Sequence, residues 1–230
     1  MSYRIALFDL DGTVTDSAEV ITRCVNLTLR QLGYPEQAPH ELARWVGPPL
    51  GVSFHDYANV PPAKIENAIA TYRHHYRQFM FESGIFPGVE TALSELKEAG
   101  LRLAVATSKR EDYAAEIVSA LHLDQYFEVV AGARTDDPNY TKSIVVSDAL
   151  ERLGLTPIYR GSLPSTQQVA DAGFTGQVMM IGDRHHDIDG GRNNGLDTMG
   201  ITWSGTDVSE FDNATKVAHT PAQVVELLTS

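Results

Sequence analysis

The chain of 230 residues carries 18 Lys and Arg against 30 Asp and Glu, a net charge of −12, with 43% apolar and 21% charged residues. That is the composition of a globular protein with room for one large domain or a core plus a smaller module. The acidic balance argues against general nucleic-acid binding, and no stretch approaches the ~20 apolar residues of a membrane span. The start, Met-Ser-Tyr-Arg, lacks a basic-then-apolar leader pattern. A single cysteine, Cys24, excludes an internal disulfide and a thiolate metal cluster, so a cytoplasmic location is expected.

Residues Tyr3 to Asp9 form a short apolar run ending in an acid, which suits a buried parallel strand, and Asp11-Gly12-Thr13 is turn chemistry that stops it. From Ser17 the spacing becomes helical, with Val20, Cys24, Leu27 and Leu32 interleaved with polar residues and Gly33 as the stop. Residues 39–85 read as helical throughout, with no strand expected. One segment holds Leu42, Trp45 and Val46 and breaks at Gly47-Pro48-Pro49. A longer one from Pro61 spaces Ile65, Ile69, Tyr72, Tyr76, Phe79 and Met80 by threes and fours, a stripe read as core packing. Beyond Phe86-Pro87-Gly88 the rhythm alternates. Helical patterns over 88–99, 111–122, 142–153, near 186–194 and from Pro221 are separated by apolar runs at Leu101–Ala106, Phe127–Ala131, Val178–Ile181 and Thr198–Thr202. Such alternation implies βαβ units around a parallel sheet. The prediction is an α/β core over 1–16 and 86–230 with an inserted all-helical module over 17–85. Residues 155–177, with a short helix at Thr166–Ala172, are a long connection for such a fold, either functional or mobile.

Ligands in parallel sheets sit beyond the carboxyl ends of the strands, and four polar clusters fall near such positions. They are Asp9-Leu10-Asp11-Gly12-Thr13, Thr107-Ser108-Lys109, Lys142 at a helix start, and Gly182-Asp183 with Asp187. Asp9 and Asp11, two apart on extended backbone, send their carboxylates to one side, where they repel unless a cation intervenes. With Asp183 and Asp187 the set is all hard oxygen ligands, which suits Mg²⁺ better than Zn²⁺. Thr107-Ser108-Lys109 offers hydroxyls, backbone donors and a cation where a helix is expected to begin, an arrangement that binds phosphate. The His74-His75 and His185-His186 pairs are read as surface or packing residues, because neighbours on a helix diverge by ~100°.

In order, these four clusters resemble the motifs of the haloacid dehalogenase superfamily, over about residues 4–205. The helical insert resembles that superfamily's cap, and the core its Rossmann-like parallel sheet. The chain is similar to the phosphoglycolate phosphatase-like branch. Its Gly47-Pro48-Pro49-Leu50 turn and Gly-Asp-Arg-x-His-Asp run are similar to members described as 5′-nucleotidase-like. The resemblance implies that Asp9 attacks phosphorus and that Asp11 protonates the leaving oxygen and then deprotonates water. It assigns Thr107 and the Ser108 backbone, with Gly12, to the phosphoryl oxygens, a slip of one residue making Ser108 the main hydroxyl. Lys142 would neutralise charge, while Asp9, the Asp11 carbonyl, Asp183 and Asp187 would hold Mg²⁺. In the cap, Arg44 and Gly47 are candidates to face the substrate. The expected activity is hydrolysis of a small phosphorylated metabolite, with no nucleic-acid or membrane partner. A phosphomutase or other phosphotransferase on the same aspartyl phosphate, and a non-catalytic binding protein on the same fold, are the alternatives.

Overall fold

A computed structural model describes residues 3–134 and 140–230. In chain order the strands are β1 (Ile5–Phe8), β2 (Thr15–Asp16), β3 (Gly84–Ile85), β4 (Arg102–Arg110), β5 (Val129–Ala133), β6 (Val178–Gly182), β7 (Asp197–Ile201) and β8 (Lys216–Ala218). Six of them form a parallel sheet in the order β5-β4-β1-β6-β7-β8. The helices are α1 (Ala18–Leu32), α2 (Pro39–Leu42), α3 (Leu50–Ala58), α4 (Pro62–Phe79), α5 (Val89–Glu98), α6 (Glu111–Ala120), α7 (Lys142–Arg152), α8 (Thr166–Ala172), α9 (His185–Asn193) and α10 (Pro221–Thr229). The fold is a Rossmann-like α/β core with an inserted helical cap.

The sheet order explains the sequence pattern. Strand β1 is central, and its residues alternate between two buried faces. Ile5 and Leu7 pack with Ala104, Val146 and Met180 under α7, while Ala6 and Phe8 join Leu103, Val105 and Ile181 on the other side. Both faces being covered, the strand needs no polar alternation. The chain runs from β1 outward through β4 and β5, then returns to β6 on β1's other side, so strand order reverses beside β1. That switch point is where such sheets leave a crevice, and the ends of β4, β1 and β6 open into it side by side.

Between β2 and β3 the chain is helical. Helix α1 packs on α4, and α3 on α4. Tyr72, Tyr76 and Met80 of the expected stripe are buried and Phe79 is half-buried. A run of aromatic contacts crosses from cap to core. Trp45 meets Phe54 edge-on at 5.2 Å and Phe54 meets Tyr72 at 6.4 Å, while Tyr72 stacks on Tyr76 at 5.6 Å and Tyr76 lies 6.0 Å from Tyr113.

Three expectations are corrected. Residues 39–85 are not wholly free of strand, because Gly84–Ile85 pairs antiparallel with Thr15–Asp16; two residues are too few to show a period. Strand β8 and a 3₁₀ turn at Val208–Phe211 are present without having been predicted, for the same reason. Strand β4 continues to Arg110, well past Ala106, with its register against β5 shifting between Ala106 and Arg110. The long connection does contain α8, begun by Ser165, whose side chain accepts from the Gln168 N–H.

Helix α9 lies close against the sheet because Gly191 has no side chain. A Cβ there would stand 2.6 Å from Thr198 Cγ2 and 2.8 Å from Met180 Cβ. Gly191→Ala is therefore expected to destabilise the protein by about 1–3 kcal/mol, seen as a lower urea midpoint at unchanged slope. A wild-type midpoint would show that the helix yields without cost.

Candidate active site

The end of β1 delivers the first carboxylate. The Asp9 N–H donates to the Ile181 carbonyl at 2.9 Å, so the ladder continues one residue past the strand before the chain turns. The turn wraps around the Leu10 carbonyl, which accepts from the N–H groups of Val14 and Thr15 at 3.0 and 2.9 Å. Gly12 in this turn has φ +82°, and a Cβ on it would stand 2.5 Å from Asp183 Oδ2. The loop thus rests backbone-first on the Asp183 carboxylate, which also accepts hydrogen bonds from the hydroxyls of Thr13 at 3.4 Å and Thr206 at 3.3 Å.

The end of β6 supplies Asp183, and the first turn of α9 supplies Asp187. The Asp187 carboxylate accepts from the Arg184 N–H at 3.1 Å, capping its own helix. A Cβ on Gly182 would overlap that carboxylate, so glycine at the strand end is what lets Asp187 approach. Carboxylate oxygens of Asp9, Asp183 and Asp187, all buried, lie within 4.8 Å of one another.

Lys142, the first residue of α7, is the cation within this group. Its Nζ lies 2.7 Å from Asp9 Oδ1 and 2.7 Å from Asp187 Oδ1, and donates to the Ala106 carbonyl at 2.9 Å. Gly190 leaves room for its stem, since a Cβ there would stand 2.5 Å from Lys142 Cγ. Burial opposes the lysine's charge, yet attraction to Asp187 and Asp9 holds its pKa above the usual value. Burial, followed by repulsion from Asp187 and Asp9, pushes Asp183 up to about 8. Asp9 is raised to about 6, burial outweighing the pull of Lys142. Three carboxylates against one ammonium leave excess negative charge in a dry site. A divalent cation bound by hard oxygens fits that charge and donor set.

Asp11 points elsewhere. Its Oδ2 pairs with Lys109 Nζ at 2.8 Å, and its carboxylate is not part of the close group of three. Thr107 is buried and Ser108 half-buried, both bordering the cavity beside Asp9. They lie on β4 and the next helix begins only at Glu111, so the expectation of a helix start at Thr107 is corrected. A cavity of about 130 Å³ rises from these acids, roofed by Trp45, Leu50, Ile69 and Tyr72 of the cap. Gly47 borders it with φ +108°, and a Cβ there would stand 3.3 Å from Arg184 Cγ.

Arg44 is not at the site. It is exposed, donates to the Gln37 side chain at 3.1 Å and lies over the Tyr57 ring. Its neighbour Trp45 turns inward, because successive residues of the 3₁₀ turn Ala43–Trp45 face different sides. Cationic groups that do border the cavity are Arg73, Lys109, Arg110, Lys142 and Arg184. Arg184 reaches from the core to donate to the Val46 carbonyl of the cap at 3.1 Å. Its place inside the Gly182–Asp187 run was the available signal. Tyr76, read as core packing, reaches the site with its hydroxyl as well. His186 borders the cavity and burial lowers its pKa, whereas His185 pairs with Glu210 at 2.7 Å and His75 with Gln31 at 2.8 Å. None of residues 155–177 lines the cavity; Ile158 and Val169 cover Gly195 instead.

Comparison with known proteins agrees with this geometry. A family model described as haloacid dehalogenase-like hydrolase matches residues 6–159, and one described as HAD-hydrolase-like matches residues 141–230. The tyrosine-protein kinase PtkA of Mycobacterium tuberculosis is 33% identical over 229 residues, covering 99% of this chain and 72% of that protein. A 5′-nucleotidase of Pseudomonas aeruginosa is 32% identical over 87% of this chain and 83% of its own length. The crystal structure of a predicted phosphatase from Clostridium acetobutylicum superposes with a TM-score of 0.84 at 31% identity, covering 99% of each chain. The chain belongs to the haloacid dehalogenase-like hydrolase family. The matching family model is that of a hydrolase, and relatives of this chain include proteins named pyrophosphatase PpaX and phosphoglycolate phosphatase.

The Gly12 contact is open to test. Gly12→Ala places a methyl group against Asp183 and strains the turn, and a displacement of about 1 Å at such a site costs on the order of a hundredfold in rate. Phosphatase kcat/KM should fall by that order, and the strained turn should also lower the thermal unfolding midpoint. Retention of wild-type kcat/KM would show that the loop does not set the position of Asp183.

Proposed function

We propose that this protein is a Mg²⁺-dependent phosphatase of small phosphorylated metabolites that works through an aspartyl phosphate, an acyl phosphate at Asp9. Residues 1–16 and 86–230 act as the catalytic core, and 17–85 as a cap that closes over the substrate. The observation that carries the reading is the convergence of Asp9, Asp183 and Asp187 at the strand ends, with Lys142 paired to Asp9 and Asp187, beneath a cavity roofed by the cap. Asp9, Asp183, Asp187 and the Asp11 carbonyl would hold the ion, which when bound supplies positive charge opposite the phosphoryl oxygens.

The chain's own residues account for the rest of the chemistry. The Asp9 carboxylate attacks phosphorus, the ester P–O bond breaks, and Asp11 gives a proton to the departing oxygen. Water then attacks the phosphorus of the aspartyl phosphate, losing its proton to Asp11, and phosphate leaves as Asp9 is restored. Lys142, held by Asp9 and Asp187, offsets the negative charge that gathers in both steps, while Thr107, Ser108 and Gly12 orient the phosphoryl oxygens. The cap excludes bulk water. It encloses a compact phosphomonoester of the phosphoglycolate, nucleotide or sugar phosphate type, with no role for nucleic acid or membrane. Among the described residues no helix is long and apolar enough to cross a membrane.

Hydrolysis of 4-nitrophenyl phosphate with Mg²⁺ is expected to vanish with a chelator, to return on adding Mg²⁺, and to be lost in Asp9→Asn. Wild-type turnover by that variant would end the aspartyl phosphate mechanism. A second reading, transfer to a bound hydroxyl, draws on the relative named as a tyrosine-protein kinase. Free phosphate released in proportion to ester consumed would exclude it. In a screen of phosphorylated metabolites, Arg44→Ala is expected to leave the substrate ranking unchanged, since that side chain faces solvent. An altered ranking would place it back at the site.

A further inference from the structure

Lys109 joins the second aspartate to the cap. It lies on the irregular end of β4, and its side chain is only 8% exposed. Its Nζ sits 2.8 Å from Asp11 Oδ2, donates to the Tyr76 hydroxyl at 2.6 Å, and lies 4.4 Å from the centre of the Tyr76 ring. Tyr76 belongs to α4 of the cap, whereas Asp11 belongs to the core loop after β1. Two of the ammonium's three donors are thus committed, one on each side of the boundary between cap and core.

The other half of the Asp11 carboxylate is informative too. Its Oδ1 is buried and has no hydrogen-bond partner among the described residues. A carboxylate of the cavity lining that is held through one oxygen, with the other unpartnered, is fixed in orientation and keeps one oxygen for proton exchange. Lysine alone would hold it loosely, since its stem has many rotamers. The Tyr76 hydroxyl and ring remove that freedom, and Tyr76 is itself fixed between Tyr72 and Tyr113.

We propose that Lys109 is a positioning residue that orients Asp11 for proton transfer, and that the Tyr76 hydroxyl sets Lys109 in place, so that proton transfer is ready only when the cap is seated. The inference rests on the phosphatase reading above and adds to it a dependence of the acid–base step on Tyr76, from outside the four motif clusters, and on Lys109, whose ammonium is committed to Asp11 and Tyr76.

The test uses kcat/KM, which covers the steps up to aspartyl phosphate formation, for two esters. One is the alkyl phosphate that ranks highest in the metabolite screen, whose departing alkoxide needs a proton. The other is 4-nitrophenyl phosphate, whose phenolate departs with little help. In Lys109→Met and in Tyr76→Phe, the alkyl ester should lose about tenfold or more beyond the loss for the aryl ester. Tyr76→Phe keeps the stacked ring, so the comparison survives even if Lys109→Met folds poorly. The double variant should lose no more than Lys109→Met alone, because the tyrosine acts through the lysine. Equal losses on both esters, or losses that multiply in the double variant, would overturn the role. Failure of the wild type to turn over either ester would instead overturn the phosphatase reading itself.

Discussion

Asp9, Asp183 and Asp187 lie buried within a few ångströms of one another, and the ammonium of Lys142 pairs with two of them. Charges attract and repel far more strongly there than at a surface, so an uncompensated carboxylate is unstable in its ionised form. The upward shifts of Asp183 and Asp9 express that misfit. Surrounding architecture keeps the acids together regardless. Gly12, Gly182 and Gly190 each remove a side chain that would otherwise separate a carboxylate or the lysine from its neighbours. Strands β1 and β6 place two of the acids side by side, and the capped first turn of α9 turns the third toward them. The arrangement spends folding stability on a concentrated negative charge, which makes chemical sense where a cation and a phosphoryl group are to be received.

The cap meets the core through polar contacts as well as apolar ones. Arg184 donates to the Val46 carbonyl and Lys109 to the Tyr76 hydroxyl. Apolar burial favours a closed state without fixing its geometry, whereas these directional bonds do fix it. Closing a roof of Trp45, Leu50 and Tyr72 over the acids also lowers the local polarity in which phosphoryl transfer takes place.

Much of this was legible in the sequence because strand ends are local signals. Asp9 and Asp183 each follow an apolar run, and Lys142 opens a helix, so their convergence could be expected from a parallel sheet alone. Arg44 misled because composition near a turn does not say which way each side chain faces; Trp45, next to it, took the inward position. The pairing of Lys109 with Tyr76 joins residues 33 apart in sequence and on different elements. No periodicity encodes such a contact, and Tyr76 carried the signal of a packed helix face, which is also true of it. The two-residue strands β2 and β3 were invisible for a simpler reason, being shorter than any pattern that could announce them.

Those two short strands have an architectural consequence. Because Asp16 pairs with Gly84 and Thr15 with Ile85, the helical insert leaves and rejoins the core at neighbouring points. To the central sheet, a segment of this size is then geometrically equivalent to a tight hairpin, and the entropy of closing it grows only slowly with its length. The insert can change in length between these two points without altering where the chain leaves and rejoins the sheet. One catalytic floor can therefore acquire different ceilings, and with them different molecules to act upon.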